Sequence, residues 1–341
     1  MKSQSLGTTL LLGLLLFTVL PLNSLITSVS CSSFEPANFS IVVLPDTQYY
    51  SRDNPDIFTN QTQWIVDNAE DLNIVFISQL GDLVQNGDSV SQWQNAANSM
   101  SILEESGLSW EVLPGNHGFE GDSNLVNYNT YFGVANFSES SWFGGSYPNG
   151  TSNNNFAFFS GGNVEFLILS FQYHPSDRVL AWANATIAQY PDSRVIVATH
   201  DYLGLDGERT EEGNHIWNNF VAPNADQVFL VLCGHMHGEA QRTDVVNGHQ
   251  VHQLLADYQA RANGGNGWLR ILEFHPADGE IFVKTFSPYL NSYESDANSQ
   301  FAVFADNLIP EFPSWTILPL FLMTTLVILV YRKKLRRKHT S

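Results

Sequence analysis

Five short apolar runs in this chain are each followed at once by residues able to hold a cation or move a proton. That recurrence restricts the fold more than any other feature. Residues 40–44 lead into Pro45-Asp46-Thr47-Gln48, 73–78 into Gly81-Asp82, and 110–113 into Gly115-Asn116-His117. Residues 194–198 lead into Thr199-His200-Asp201, and 227–232 into Gly234-His235-Met236-His237. Between them lie stretches of helical period: 55–70, with Ile57, Phe58, Trp64, Ile65 and Ala69 on one face, then 91–106 and 177–189. Residues 164–171 read as a further strand. No repeat and no Pro/Gly/Ser linker interrupts 40–305, so the pattern predicts an α/β domain. In open α/β sheets ligands collect beyond the carboxyl ends of strands. The Asn-, Ser-, Gly- and aromatic-rich segment 120–160 reads as a long insertion over one face, and the chain from there to about 287 gains a second set of strands.

A single aspartate after a strand is ordinarily a turn or cap residue, and His235-Met236-His237 alone is ordinarily a half-exposed strand pair. Five such ends in one domain change the balance. Carboxylate, imidazole and amide oxygen form a nitrogen/oxygen donor set suited to divalent Mn, Fe, Zn or Co. Two carboxylates at one site repel unless cations lie between them. A pair of metals about 3.5 Å apart meets that need and polarises water for attack on a phosphoester.

The ordered set Asp46-Thr47-Gln48, Gly81-Asp82, Gly115-Asn116-His117, His200 and Gly234-His235-Met236-His237 resembles the calcineurin-like metallophosphoesterase family over about residues 40–285. The resemblance implies a four-layer α/β/β/α sandwich and two divalent metal ions. It implies that Asp46, Gln48 and His237 bind one metal, that Asn116, His200 and His235 bind the other, and that Asp82 bridges them. A hydroxide held between the metals would attack phosphorus in line, and His117 would donate a proton to the leaving oxygen or stabilise its charge. The chain departs from the pattern at three places. Gln48 stands where most members have histidine, and an amide oxygen is a weaker ligand. Gly118 follows His117 where many members have an acid, and Gln85 stands where phosphoprotein phosphatases have an orienting aspartate, leaving Asp88 and Glu120 as candidates to orient His117. Gln85 also occupies the place of the tyrosine ligand of purple acid phosphatases. Tyr49, Tyr202 and the 120–160 segment are candidates to line the substrate pocket.

Charge placement excludes some functions and suggests others. The formal net charge is -19, but seven of the 15 basic residues sit at the two ends. The remaining eight face 34 acids, so the middle carries about -26. Such a surface repels a nucleic-acid backbone, which argues against a nucleic-acid-binding module. With one lysine and seven arginines there, phosphate must be gripped mainly by metals, which favours phosphodiesters or small phosphomonoesters over polyphosphates. Two cysteines, Cys31 and Cys233, exclude a disulfide scaffold. Cys233 lies in an apolar run and reads as a small buried hydrophobe.

The ends read as targeting. Residues 1–30 have the form of an export signal, with Cys31 a candidate for lipid modification. Residues 40–290 form the catalytic domain and 291–314 a juxtamembrane linker. Residues 315–331 are uncharged, with Trp315 and Tyr331 as interface anchors, and read as a transmembrane helix. The basic tail 332–341 places that end in the cytoplasm and the domain outside, at the cell membrane. The Pro310-Glu311-Phe312 stretch resembles archaeal surface-sorting signals, and sequons at Asn38, Asn60, Asn136, Asn149 and Asn184 are compatible with a glycosylated exterior. The leading expectation is a surface dimetal phosphoesterase. The alternative is a metal-dependent surface binding protein on a non-catalytic scaffold; a sugar-binding module rests only on scattered aromatics.

Overall fold

A computed structural model describes residues 36–121, 124–305 and Leu308. The strands are β1 (Phe39–Leu44), β2 (Ile74–Gln79), β3 (Trp110–Val112), β4 (Phe143–Tyr147), β5 (Asn154–Gly161), β6 (Val164–Phe171) and β7 (Arg194–Thr199). They continue as β8 (Val228–Cys233), β9 (Gly238–Val246), β10 (His249–Asp257), β11 (Leu269–His275), β12 (Glu280–Ser287), β13 (Ser292–Glu294) and β14 (Gln300–Phe304). The helices are α1 (Gln48–Asp53), α2 (Pro55–Asp67), α3 (Val90–Ser106), α4 (Val126–Phe132), α5 (Val134–Phe137), α6 (Asp177–Ile187) and α7 (Glu211–Ile216).

The strands form two sheets. One runs β13-β12-β11-β1-β2-β3, with β14 also paired to β12; the other runs β4-β5-β6-β7-β8-β10-β9. Strands β1, β2 and β3 are mutually parallel, as are β6, β7, β8 and β10. Their side chains explain the layering, because successive residues of a strand point to opposite faces. On β1, Phe39, Ile41 and Val43 enter the core shared by the two sheets, whereas Val42 and Leu44 pack under the helices. On β6, Phe166 and Ile168 face inward while Leu167, Leu169 and Phe171 face α6 and α7. Strands buried on both faces read as continuous apolar runs, which is why they stood out in the sequence. Helix α2 begins with Pro55 in its first turn, and α3 stops at Gly107, whose left-handed φ of 76° suits glycine. The architecture is thus helices, sheet, sheet, helices.

The segment 120–160 is less irregular than expected. It supplies α4, α5, β4 and β5, and β5 pairs along β6 from Asn155↔Ser170 to Gly161↔Val164. Its asparagines hid a strand because they serve the fold's interior: Asn154 and Asn155 are buried, with Asn155 Nδ2 donating to Val112 O at 3.2 Å. Among the described residues no helix is long and apolar enough to cross a membrane. The proposed signal 1–30, Cys31, the sorting stretch and the span 315–331 with its tail lie outside the described residues. Of the sequons, Asn38, Asn60, Asn136 and Asn149 are exposed. Asn184 is engaged, donating to Leu180 O and Asn219 O and accepting from Asn224 Nδ2.

One core group gives the fold a pH dependence. Glu111 on β3 is buried and accepts from Ser78 Oγ at 2.5 Å, and burial pushes its carboxyl up to about 7 from an ordinary 4.5. The folded state therefore holds this proton more tightly than the unfolded chain does. That contribution is complete below the unfolded value and is lost as pH rises through about 7. Its full size is about 3 kcal/mol at 1.36 kcal/mol per pH unit. Glu111→Gln is expected to match wild type in urea midpoint near pH 4.5 and to exceed it near pH 8. Parallel curves for the two proteins across that range would remove Glu111 as the cause.

Candidate metal centre

The loops after the parallel strands of both sheets meet at one place. Asp46 follows β1, Asp82 follows β2, and Asn116 and His117 follow β3; His200 follows β7, and His235 and His237 follow β8. Asp46, Asp82 and His200 are fully buried and present ligand atoms within 4.8 Å of one another. Two glycines make the approach possible. A Cβ on Gly115 would lie 2.2 Å from Asp82 Oδ1, and one on Gly234 would lie 2.5 Å from Asp46 Oδ1. Side-chain-free backbone here is the condition for carboxylates from the first sheet to reach the centre.

Backbone hydrogen bonds fix the orientation of each group. His117 N donates to Asp82 Oδ1 at 2.8 Å, and His235 N donates to Asp46 Oδ2 at 3.0 Å. His200 Nδ1 donates to Leu80 O at 2.8 Å, which leaves the Nε2 lone pair facing inward. That Nε2 meets Asp82 Oδ2 at 3.2 Å and Asn116 Oδ1 at 3.0 Å. Three acceptors therefore converge, an arrangement that requires a positive charge among them. Burial opposes charge on His200, yet Asp82 outweighs it and raises the imidazole; burial likewise opposes Asp82, and His200 and His117 hold it down. Burial, with Asp257 and Asp82 close by, raises Asp46 well above the usual carboxylate range. Burial and His200 lower His235, favouring the neutral imidazole that ligates metals.

The donor set fits divalent cations. Asp46 Oδ1 and Gln48 Oε1 are buried with no hydrogen-bond donor, and buried oxygens left so are costly unless an ion or water meets them. Gln48 donates through Nε2 to Gln259 Oε1, so its oxygen is the atom left for a cation. His237, half-exposed at the rim, has its Nε2 2.8 Å from Gln259 Nε2.

Three sequence expectations need correction. Asp88 is exposed, and Glu120 accepts from Asn127 N; neither orients His117. Gln85 does so instead, its carbonyl oxygen 2.9 Å and its Nε2 3.0 Å from His117 Nδ1. A backbone carbonyl can fix a histidine tautomer as an aspartate does, so no acid is needed at that place. Tyr202 is fully buried among Leu203, Ile216 and Phe220 and does not line a substrate pocket; its apolar neighbours on α7 and the following turn absorb the ring. Tyr49 is half-buried with the Arg52 guanidinium 4.6 Å over its ring.

Sequence reasoning also missed neighbours. Asp257 and Gln259, at the end of β10, reach the centre, and the same polar-after-strand signal marks them. His174 stacks on Tyr173, whose ring lies 5.5 Å from that of His235. They open a cleft of about 600 Å³ lined also by Asp201, Glu211, Glu212 and His215. Tyr173 and His174 follow the strand 164–171, so the same polar-after-strand signal marks them too. Cys233 is buried in β8, and burial pushes its thiol up, as expected of a small hydrophobe.

Comparison with known proteins agrees with this geometry. The chain is 36% identical over 269 residues to the uncharacterized protein YvnB of Bacillus subtilis (strain 168), covering 76% of this chain. It spans only 21% of that relative's length. Among solved structures, a dimetal phosphatase from Danio rerio superposes with a TM-score of 0.50 at 12% identity, over 79% of this chain and 99% of that one. A purple acid phosphatase from yellow lupin (Lupinus luteus) seeds gives 0.51 at 14% identity, over 82% and 57%. At such identities the likeness is one of fold. The family model for calcineurin-like phosphoesterases matches residues 39–239, which takes in every loop from Asp46 to His237. By that match the chain belongs to the calcineurin-like phosphoesterase family, whose members are hydrolases of phosphoric ester bonds.

Proposed function

We propose that this chain hydrolyses phosphodiesters or small phosphomonoesters with two divalent cations, and that it acts at the cell surface. One observation carries the reading: His200 Nε2, Asp82 Oδ2 and Asn116 Oδ1 converge as acceptors beside an Asp46 oxygen that has no donor. Asp46, Gln48 and His237 would hold one cation and Asn116, His200 and His235 the other, with Asp82 between them. When bound, the cations supply positive charge that polarises an attacking water and the phosphoryl oxygens. The protein's share is to fix the donors and to present His117. Its Nδ1 is held by Gln85, so Nε2 is directed outward to give a proton to the leaving oxygen.

The cleft beside the centre bears on substrate choice. Asp201, Glu211 and Glu212 line it with two histidines, and no arginine or lysine lines it. Basic groups elsewhere are taken by carboxylates, including Arg52, Arg209, Arg242, Arg261, Arg270 and Lys284. An acidic cleft disfavours polyphosphates and suits a neutral or cationic alcohol. The surface placement rests on the sequence of residues 1–30 and 315–341, with the membrane as partner through the span.

The test is metal removal. The purified chain, stripped by chelator and reloaded with manganese, is assayed on aryl phosphate mono- and diesters while bound metal is measured. Activity is expected to vanish with the metal and return with about two equivalents. Bound metal without hydrolysis of either ester would favour the binding-protein reading instead.

A further inference from the structure

Gln48 is the weak member of the first cation's donors, and the structure offers a replacement for the strength it lacks. Asp257 ends β10, its side chain is fully buried, and it lies close enough to Asp46 for each carboxyl to act on the other. Two buried carboxyls that close repel each other unless a proton or a cation lies between them. Asp257 faces neither arginine nor lysine there but His237, whose Nε2 lies 3.9 Å from Asp257 Oδ2. Gln259 ties these groups together: its Oε1 accepts from Gln48 Nε2, and its Nε2 lies 2.8 Å from His237 Nε2 and 3.2 Å from Asp257 Oδ2. Asp257 therefore stands against Asp46 and His237 and is linked to Gln48 by one amide. All three are the proposed donors of the first cation.

A turn-forming role accounts for only part of this. Asp257 Oδ1 accepts from Gln259 N at 2.9 Å, a local bond that asparagine makes equally well. It does not account for a second buried carboxylate beside Asp46 and His237. We propose that Asp257 is a further ligand of the cation held by Asp46, Gln48 and His237, supplying the anionic donor that compensates for the neutral amide at position 48. The inference rests on the two-cation reading.

Asp257→Asn separates the roles, since it keeps the turn and removes the charge. Manganese binding to the stripped full chain is followed by calorimetric titration and by the rise in Tm on metal addition. Wild type is expected to show two sites. Asp257→Asn is expected to weaken one of them at least about 10-fold and leave the other unchanged. Its metal-free Tm should not fall below that of metal-free wild type, while its metal-induced rise shrinks. Adding Gln48→His to Asp257→Asn is expected to recover affinity at the weakened site. Two sites of wild-type affinity in Asp257→Asn would overturn the proposal. A lowered metal-free Tm with an undiminished metal-induced rise would also overturn it, in favour of the turn. Wild type that takes up no manganese would refute the two-cation reading itself, and with it this inference.

Discussion

Asp82→Asn is expected to hydrolyse aryl phosphodiesters at less than about one thousandth of the wild-type rate, a loss of about 4 kcal/mol of transition-state stabilisation. The reason is the number of groups that meet this carboxylate. Oδ1 fixes the His117 backbone at 2.8 Å, Oδ2 stands 3.2 Å from His200 Nε2, and Asp46 lies beside it in the same buried cluster. Both proposed cation sites depend on its charge. The substitution is also a mild one for the backbone. Asp82 has φ of 49°, a left-handed conformation that asparagine adopts readily. Folding should therefore survive, and metal analysis should find at least one cation equivalent missing. An Asp82→Asn protein that keeps both cations and most of its rate would remove Asp82 from the centre.

His117→Ala is expected to show the opposite pairing of results: full metal content, with the rate reduced by about 10²–10⁴. Among the groups at the centre, His117 is held by its own main chain to Asp82 and by Gln85, so removing its ring strips no proposed ligand from either cation. If the ring protonates the departing oxygen, the loss should be large for an alkyl ester and much smaller for a nitrophenyl ester, whose leaving group needs little help. Equal losses on the two esters would point to a role in positioning phosphate instead.

How much of this was legible in the sequence depends on how each residue gets to the centre. Asp46, Asp82, Asn116, His200 and His235 follow strands buried on both faces, and such strands are continuous apolar words that mark their own ends. Gln85 acts through its carbonyl oxygen, which every residue has, so no side-chain pattern could single it out. Asp257 was in plain view after the short apolar run 254–256, but that region was read only as part of a second set of strands, without following what stands after each one. Tyr202 misled because an aromatic next to His200 can turn toward ligand or core, and only α7 and the turn after it decide which. Strand β5 was hidden because its buried polar residues, Asn154 and Asn155, are satisfied by partners far along the chain or across a hairpin.

The contact between the two sheets also sets an order of events during synthesis. Asp46 Oδ2 and the His235 amide that holds it are 189 residues apart. Asp46, Asp82 and Asn116 emerge early, and their partners on the second sheet emerge only after most of the domain has been made. Loop closure over such a span is entropically costly and comes late. A growing chain thus carries half of the proposed binding site, with too few donors to retain a cation, and tight retention would begin only when the last strands dock. On the proposed two-cation reading, metal loading would report completion of the fold, and a cation bound only by the finished form would hold the two sheets together by about 2.7 kcal/mol at a hundredfold excess over its dissociation constant.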